Sequence, residues 1–383
     1  MDSPKIIKIG IDCSRYKANE PTGVEWYSYH LLNHLIPLFG REHRKEFLLF
    51  TQNKTEFAEE LPFNVKQKQL KFPRFWTLIR LTWEMIFHPV DLLFVPSHVL
   101  PLWTPKKTVV TVHDIAFKVP ELSKAYSLKH RLLLEWSTWR AVRKAYKIIV
   151  PSEATKNDLI KYYNCLAEKV EVVNHGGPDV SGENNPLFDK WSENEKKEIL
   201  ELCRLKDSDL CILNMGRLEY KKNLSNLVEG FARFLKEYPG WKLVLAGKRG
   251  FGFEDIWAKI TQLGLTDDVV MPGYITEREK RFLLQKCRVF AFPSRYEGFG
   301  FPILEAFAYH RPVLTSKVSS MPEVAGKAAF LVNPEKVEEI SVGLKRLASD
   351  GMFISKLILE GEKQLSKFNW EKAARETFEV LNS

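Results

Sequence analysis

The feature that most limits the fold of this chain is an alternation of short apolar runs with helix-spaced apolar patterns, occurring twice. The two series flank a stretch from Gly176 to Trp191 that contains GGPDVSGENNP and reads as an interdomain linker. In the first series, strand-like runs fall at Lys5–Ile11, Phe47–Thr51, Leu92–Val95, Thr108–Val112 and Lys147–Val150. Helical patterns lie at Glu25–Leu38, Ser127–Tyr146 and Glu153–Tyr163. In the second series, strands at 210–215, 241–246, 269–271, 289–293 and 312–316 alternate with helices at 223–237, 253–263, 277–286, 302–309 and 337–349. Strands that alternate with helices make βαβ units and a parallel sheet. The expectation is an α/β protein with two Rossmann-like, doubly wound parallel-sheet domains. A length of 383 residues is ample for two cores.

In such sheets ligands sit beyond the carboxyl ends of the strands, so the loops that follow the strands carry the argument. The segment Ser294-Arg-Tyr-Glu-Gly-Phe-Gly-Phe-Pro-Ile-Leu-Glu305 joins a strand to a helix. Gly298 and Gly300 let the backbone approach a ligand and adopt positive φ. Pro302 suits the first position of a helix, whose free amides would form an anion pocket fit for a diphosphate. Glu297 and Glu305, spaced as E-x7-E, would face one crevice and accept hydrogen bonds from sugar or ribose hydroxyls. A second strand–loop–helix segment, Asn214-Met-Gly-Arg-Leu-Glu-Tyr-Lys-Lys-Asn223, ends its strand at Gly216. It puts Arg217 and Lys222 at a helix N-terminus, where two cations neutralise a leaving diphosphate without a metal. Asn19-Glu-Pro-Thr-Gly-Val-Glu25 is a turn with Thr22 as a cap and Gly23 as its flexible point; it reads equally well as a plain βα loop. His113, in Val110-Thr-Val-His-Asp-Ile115, ends an apolar strand on the crevice side, where a histidine serves as hydrogen-bond donor or acid/base, or simply as a structural residue.

Several classes are disfavoured. There is no G-x-G-x-x-G after the first strand, no phosphate-loop lysine motif, no H-E-x-x-H and no D-x-D in a crevice loop, so no metal or cofactor is expected. The five cysteines, Cys13, Cys165, Cys203, Cys211 and Cys287, form no C-x-x-C pair and read as buried thiols. The N-terminus has no signal-peptide core, and no stretch of 18 apolar residues occurs. The charge, +9 overall, is concentrated: residues 65–150 hold 15 Lys/Arg against 5 Asp/Glu. A basic first half calls for an anionic partner or a solvated face. The aromatic-basic run Lys71–Trp83 has the composition of a segment that docks on a membrane surface or packs on the core beneath it.

Four blocks together carry a family resemblance: PTGVEWYSYHLLNHL, VVTVHDIAF, MGRLEYKKN and FPSRYEGFGFPILEAFAYHRPVLTSKVSSMPEVAG. The chain resembles glycosyltransferase family 4, of the GT-B fold, and VSSMPEVAG is similar to mannosyltransferase-like O-antigen and lipopolysaccharide members. The resemblance implies a fold of two Rossmann-like domains facing a central cleft: an acceptor domain at residues 1–182, a donor domain at 183–367, and a helix at 368–383 that packs back onto the first domain. It implies that Arg217 and Lys222 hold the donor diphosphate, that Glu305 binds ribose, and that Glu297 lies near the donor sugar. Gly216, Gly298, Phe299 and Gly300 would line the donor, Gly23 would face phosphate and acceptor, and His113 would contact the transferred sugar. The expected activity is a retaining, metal-independent transfer of a hexose, mannose from GDP-mannose, to a glycan or lipid-linked acceptor in cell-surface polysaccharide synthesis. The expected location is cytoplasmic, peripheral on the inner face of the plasma membrane, with no nucleic-acid partner. The alternatives are a UDP-sugar-dependent transferase, a sugar-nucleotide isomerase or phosphorylase of the same broad fold, and a non-catalytic scaffold. One departure is Asn174-His-Gly-Gly-Pro-Asp179, where many members carry N-G-[VI]-D.

Overall fold

The computed structural model describes residues 6–17, 23–58, 60–181, 185, 187 and 189–383. It divides into two compact units. The first comprises the chain up to Lys118, Leu128–Gly176 and Phe368–Ser383; the second comprises Val119–Ser127 and Gly177–Lys367.

The first unit contains β1 (Ile7–Asp12), α1 (Gly23–Phe39), β2 (Lys45–Thr51), β3 (Val65–Gln69), α2 (Arg80–Phe87), β4 (Leu92–Val95), β5 (Lys107–Thr111), α3 (Leu128–Lys144), β6 (Lys147–Val150), α4 (Glu153–Tyr163) and β7 (Val170–Val172). Its seven-stranded sheet has the order β3-β2-β1-β4-β5-β6-β7, and every pairing is parallel. The central strands are buried along their length because helices cover both faces, which is why they read as continuous apolar runs. Phe39, at the end of α1, stacks on Phe47 of β2 with centroids 3.9 Å apart. Ser152 caps α4 by accepting from Thr155 N, and Asn164 ends it in the left-handed conformation.

The second unit contains α5 (Glu193–Leu202), β8 (Leu210–Met215), α6 (Leu224–Leu235), β9 (Trp241–Ala246), α7 (Phe253–Gln262), β10 (Val269–Gly273), α8 (Glu277–Lys286), β11 (Val289–Phe292), α9 (Phe301–Ala308), β12 (Val313–Ser316), α10 (Met321–Ala325), β13 (Ala329–Val332), α11 (Val337–Ser349) and α12 (Gly351–Leu365). Its sheet, also all parallel, has the order β10-β9-β8-β11-β12-β13. Leu224, Leu227, Val228, Phe231 and Phe234 of α6 bury one helix face against Leu243 and Leu245 of β9 and Ile340 and Leu344 of α11. Each such side chain contributes about 1.5–3 kcal/mol of transfer free energy. The last helix, α13 (Trp370–Asn382), belongs to the first unit and packs on α1.

The stretch read as a linker is anchored at both ends. Gly176 lies against Trp370, where an added Cβ would sit 2.5 Å from the indole and from the backbone nitrogen. Only glycine fits there without a shift of Trp370. Further on, Asp189 takes a hydrogen bond of 2.8 Å from Arg281, and Trp191 Nε1 donates to Gln285 at 2.6 Å, both residues on α8. All five cysteines are buried free thiols. Among the described residues no helix is long and apolar enough to cross a membrane.

Candidate functional site

In the second sheet the strand order reverses between β8 and β11, so the crevice for a ligand opens where these two strands end. The loops that leave β8 and β11 are the two segments singled out in the sequence. Gly216 has φ +128°. The next residues run beside the loop after β9: Gly216 N donates to Ala246 O at 3.0 Å, Leu218 N to Lys248 O at 2.9 Å, Gly250 N to Leu218 O at 2.9 Å, and Tyr220 N to Phe251 O at 2.8 Å. Gly247 sits so close that an added Cβ would fall 1.8 Å from Gly216 O. This zipper presents Arg217 as an exposed side chain with no hydrogen bond or ion pair to any described residue. The supporting loop was not read from the sequence, although its three glycines in Gly247-Lys-Arg-Gly-Phe-Gly252 were a signal for it.

A single 3-10 turn, Tyr220–Lys222, then leads into α6. Asn223 takes the left-handed conformation at φ 59° and donates through Nδ2 to Pro334 O at 2.6 Å and Pro293 O at 3.2 Å. That bond ties the turn to the end of β11. Lys222 Nζ meets Glu297 Oε1 at 2.7 Å, and Lys221 Nζ lies 3.6 Å from Oε2. Lys222 also sits over the Phe292 ring, 4.7 Å from its centroid. Burial alone would raise the Glu297 carboxyl, but the charges of Lys222 and Lys221 outweigh it and hold the group below the usual carboxylate range. Glu297 is therefore ionised at neutral pH and paired. Lys221, adjacent to Lys222, was missed in the sequence because a lysine pair there reads as an ordinary basic cluster.

Gly300 has φ +124° and precedes α9, with Pro302 in the first turn. Gly298 and Phe299 complete the turn, and Phe299 is buried. Glu305, one turn into α9, accepts from Lys280 Nζ of α8 at 2.6 Å, and Lys280 also pairs with Glu277 at 2.7 Å. Burial would lower the Lys280 ammonium, but Glu305 and Glu277 together raise it. Each carboxylate of the E-x7-E segment thus has its own cation: Glu297 on Lys222 and Lys221, Glu305 on Lys280. Lys280 lies 25 residues from Glu305 in the chain and carries no motif that would have marked it.

In the first unit, His113 lies just past the end of β5. Its Nε2 is 3.1 Å from Pro96 O. A carbonyl only accepts, so the proton sits on Nε2 and Nδ1 is the acceptor. Burial lowers the ring to about 4, and the Pro96 bond only partly opposes this, so His113 is neutral at pH 7. The Tyr27 ring packs edge-on at 4.7 Å, and the Tyr27 hydroxyl lies 3.2 Å from Thr111 Oγ1. Gly23 is the first residue of α1, with open space where a side chain would be. Thr22 and the rest of Asn19–Pro21 lie outside the described residues.

Comparison with known proteins bears on both units. The model described as Glycosyltransferase Family 4 matches residues 21–177, and that described as Glycosyl transferases group 1 matches residues 195–364. The O-antigen chain mannosyltransferase B of Escherichia coli is 27% identical over 84% of this chain and 80% of its own length. Serotype-specific mannosyltransferases of the same species also match at 27%, and the chain spans 32% of their length. Among solved structures, sucrose-phosphate synthase from Thermosynechococcus elongatus superposes with a TM-score of 0.72 at 19% identity, covering 98% of both chains. Anabaena HepE, solved with UDP and glucose, gives 0.69 at 19% identity over 98% of this chain and 99% of its own. These structures share the GT-B fold with this chain.

Proposed function

We infer the activity from the family: the chain belongs to the glycosyltransferases, its first half to family 4 and its second to group 1, and we propose that it is a retaining, metal-independent hexosyltransferase. The donor is a nucleotide-diphosphate sugar, read as GDP-mannose, and the acceptor is a glycan or lipid-linked intermediate of cell-surface polysaccharide. The observation that carries this reading is the end of β8 and β11, where Lys222 is held by Glu297 and Arg217 reaches solvent unpaired. A diphosphate entering there meets a planar guanidinium fork and a desolvated ammonium. As the bond to the sugar breaks, Arg217 and Lys222 stabilise the charge that develops on the leaving diphosphate, and this electrostatic term is usually the largest in such a reaction. These two cations supply at that point the positive charge a metal ion would otherwise provide. Departure of the diphosphate and arrival of the acceptor on the same face retains the anomeric configuration, with a leaving-group oxygen taking the acceptor's proton. Glu305 binds the ribose and Gly298, Phe299 and Gly300 lie along the sugar and phosphates. His113, through Nδ1, accepts from a sugar hydroxyl. The mannose donor is supported by the name of the Escherichia coli relative, and the bound UDP and glucose of HepE keep a UDP-sugar as the second reading.

The test is a transfer assay with GDP-mannose and UDP-glucose in the presence of EDTA, with product anomers assigned by NMR. An α-linked product from GDP-mannose with EDTA present is expected. An inverted product or a strict metal requirement overturns the mechanism, and turnover of UDP-glucose alone selects the second donor.

The reading extends to a peripheral site on the cytoplasmic face of a membrane. In the first unit α2 exposes Trp83 and Phe87, and α3 exposes Leu132 and Trp139. Between them lie exposed Leu102 and Trp103. Leu102 N donates to Thr82 Oγ1 at 2.7 Å, and Arg140 donates to Leu102 O at 2.6 Å, so α2, this loop and α3 form one stitched surface. With the local excess of Lys/Arg it suits anionic headgroups. Flotation with phosphatidylglycerol vesicles at low salt is expected to carry the chain upward; failure to float removes this location.

A further inference from the structure

The SS of VSSMPEVAG had no role in the sequence reading beyond its resemblance. The structure places a row of hydroxyls along the carbonyls of the loop that bears Glu297. Thr315 Oγ1 donates to Phe292 O at 2.9 Å and Ser316 Oγ to Ser294 O at 2.6 Å. Ser319 Oγ donates to Glu297 O at 2.6 Å and accepts from Glu297 N at 3.3 Å. Ser320 Oγ lies 2.5 Å from Phe299 O and 2.9 Å from Glu297 O. It has one proton, and Glu297 O is already served by Ser319, so the shorter contact to Phe299 O takes it.

Helix capping explains the contacts of neither hydroxyl. Ser320 precedes α10 and Glu323 stands three residues on, the spacing of a capping box. Yet its hydroxyl makes no cap bond and is turned to Phe299 instead. Ser319 holds φ +53°, a conformation that is costly for a residue with a side chain and that persists where surrounding structure imposes it.

The consequence follows from the peptide unit. In a trans peptide the C=O of one residue and the N–H of the next point in opposite directions, and no peptide among the described residues is cis. The same loop shows this at its start: Ser294 O faces Ser316, and Arg295 N–H turns the other way to Lys221 O at 2.8 Å. With Glu297 O and Phe299 O tied back, the Gly298 and Gly300 amides are turned away from the serines. The Gly300 N–H meets no acceptor among the described residues. We infer that Ser319 and Ser320 are positioning residues, which set the 297–298 and 299–300 peptide planes so that the turn presents the Gly300 amide to the anionic diphosphate-sugar. This rests on the donor reading of the site. The two serines do not touch the donor; they act through the backbone of Glu297 and Phe299.

The test compares Ser320→Ala and Ser319→Gly with Ser316→Ala, which removes a hydroxyl as buried as that of Ser320 from the same row but upstream of the turn. Binding of GDP, UDP and inorganic pyrophosphate to the full chain is measured by calorimetry, together with Tm and the 15N shift of the Gly300 amide in the unliganded protein. Ser320→Ala and Ser319→Gly are expected to weaken nucleotide binding about tenfold, or about 1.4 kcal/mol. Ser316→Ala is expected to lower Tm while leaving affinity unchanged. Equal losses of affinity in all three variants, or none in the first two, overturn the inference. A wild-type chain that binds none of the probes overturns the donor reading instead. The Gly300 shift still judges the peptide-plane assignment, which fails if that shift is unmoved in Ser320→Ala.

Discussion

Removing Lys222 exposes how the site is balanced. Glu297 is buried and takes a 2.7 Å contact from Lys222 and a 3.6 Å contact from Lys221. Breaking a buried ion pair by deleting one partner typically costs about 3–5 kcal/mol, because the survivor stays charged in a poor solvent. Lys221 remains, so the expected cost of Lys222→Ala is smaller, about 2–3 kcal/mol. For a unit of this size that lowers Tm by about 4–12 °C. The pH dependence gives the sharper test. In the wild type the Glu297 carboxyl is depressed, so its contribution is present above the unfolded value near 4.3 and is lost as pH falls through the lower folded value. In Lys222→Ala, of the two cations only the more distant Lys221 still opposes burial, so the folded value is expected to rise. The penalty is then full near neutrality and relieved as the pH falls and the carboxyl takes a proton. The Tm gap between the two proteins should therefore be widest at pH 7 and close towards pH 4. Adding Glu297→Gln to Lys222→Ala should recover most of the lost stability without restoring transfer. Thermal melts of the four proteins of this cycle, at a series of pH values, check it. A gap independent of pH, or a double variant no more stable than Lys222→Ala, refutes the reasoning.

Other consequences are simpler to test. Burial lowers the imidazoles of His98, His113 and His175, so each is neutral in the fold and takes up a proton on unfolding. Stability is full above the unfolded value near 6.5 and falls below it, by about 1.4 kcal/mol per pH unit for His113 and for His175, with His98 adding in the same direction. Denaturant titrations from pH 7 to 5 should show that slope, and a His113→Gln chain whose slope is undiminished contradicts it. Gly247→Ala forces a Cβ onto the Gly216 carbonyl at a φ of +152° and should cost at least about 3 kcal/mol, measured by urea unfolding. Lys280→Ala strands Glu305 without its cation and should cost about 1–3 kcal/mol at pH 7. Because the Lys280 ammonium is raised in the fold, its contribution is complete below the unfolded value near 10.4 and is lost only as pH rises through the higher folded value. A Tm unchanged by Lys280→Ala at pH 7 counts against that pairing.

What was legible in the sequence was whatever local chemistry determines. The buried strands β1, β4, β5, β6, β8, β9 and β11 are apolar because both faces of a parallel sheet are covered, and that pattern is visible in a few consecutive residues. Gly216 and Gly300 stand where φ is positive, Arg217, Lys222 and Glu297 stand in the loops that leave strand ends, and Glu305 stands in the helix that follows one of them. Among the strands missed, β3, Val-Lys-Gln-Lys-Gln, lies at a sheet edge and is mostly polar, and β7 and β13 are only three and four residues long; the helices α2, α5, α10 and α12 were not read either. The pairings could not be read at all. Lys280 on Glu305, Lys221 on Glu297, and the hydroxyls of Ser319 and Ser320 on the carbonyls of Glu297 and Phe299 join residues that meet only once the sheet is assembled. The same holds for the end of the chain, where Trp370 sits over Gly176 and Phe368–Ser383 joins the first unit although the second separates them in sequence. The residue types at the candidate site were thus set by local backbone and charge. Which carboxylate each cation holds, and which way each amide points, was decided by packing between elements far apart in the chain.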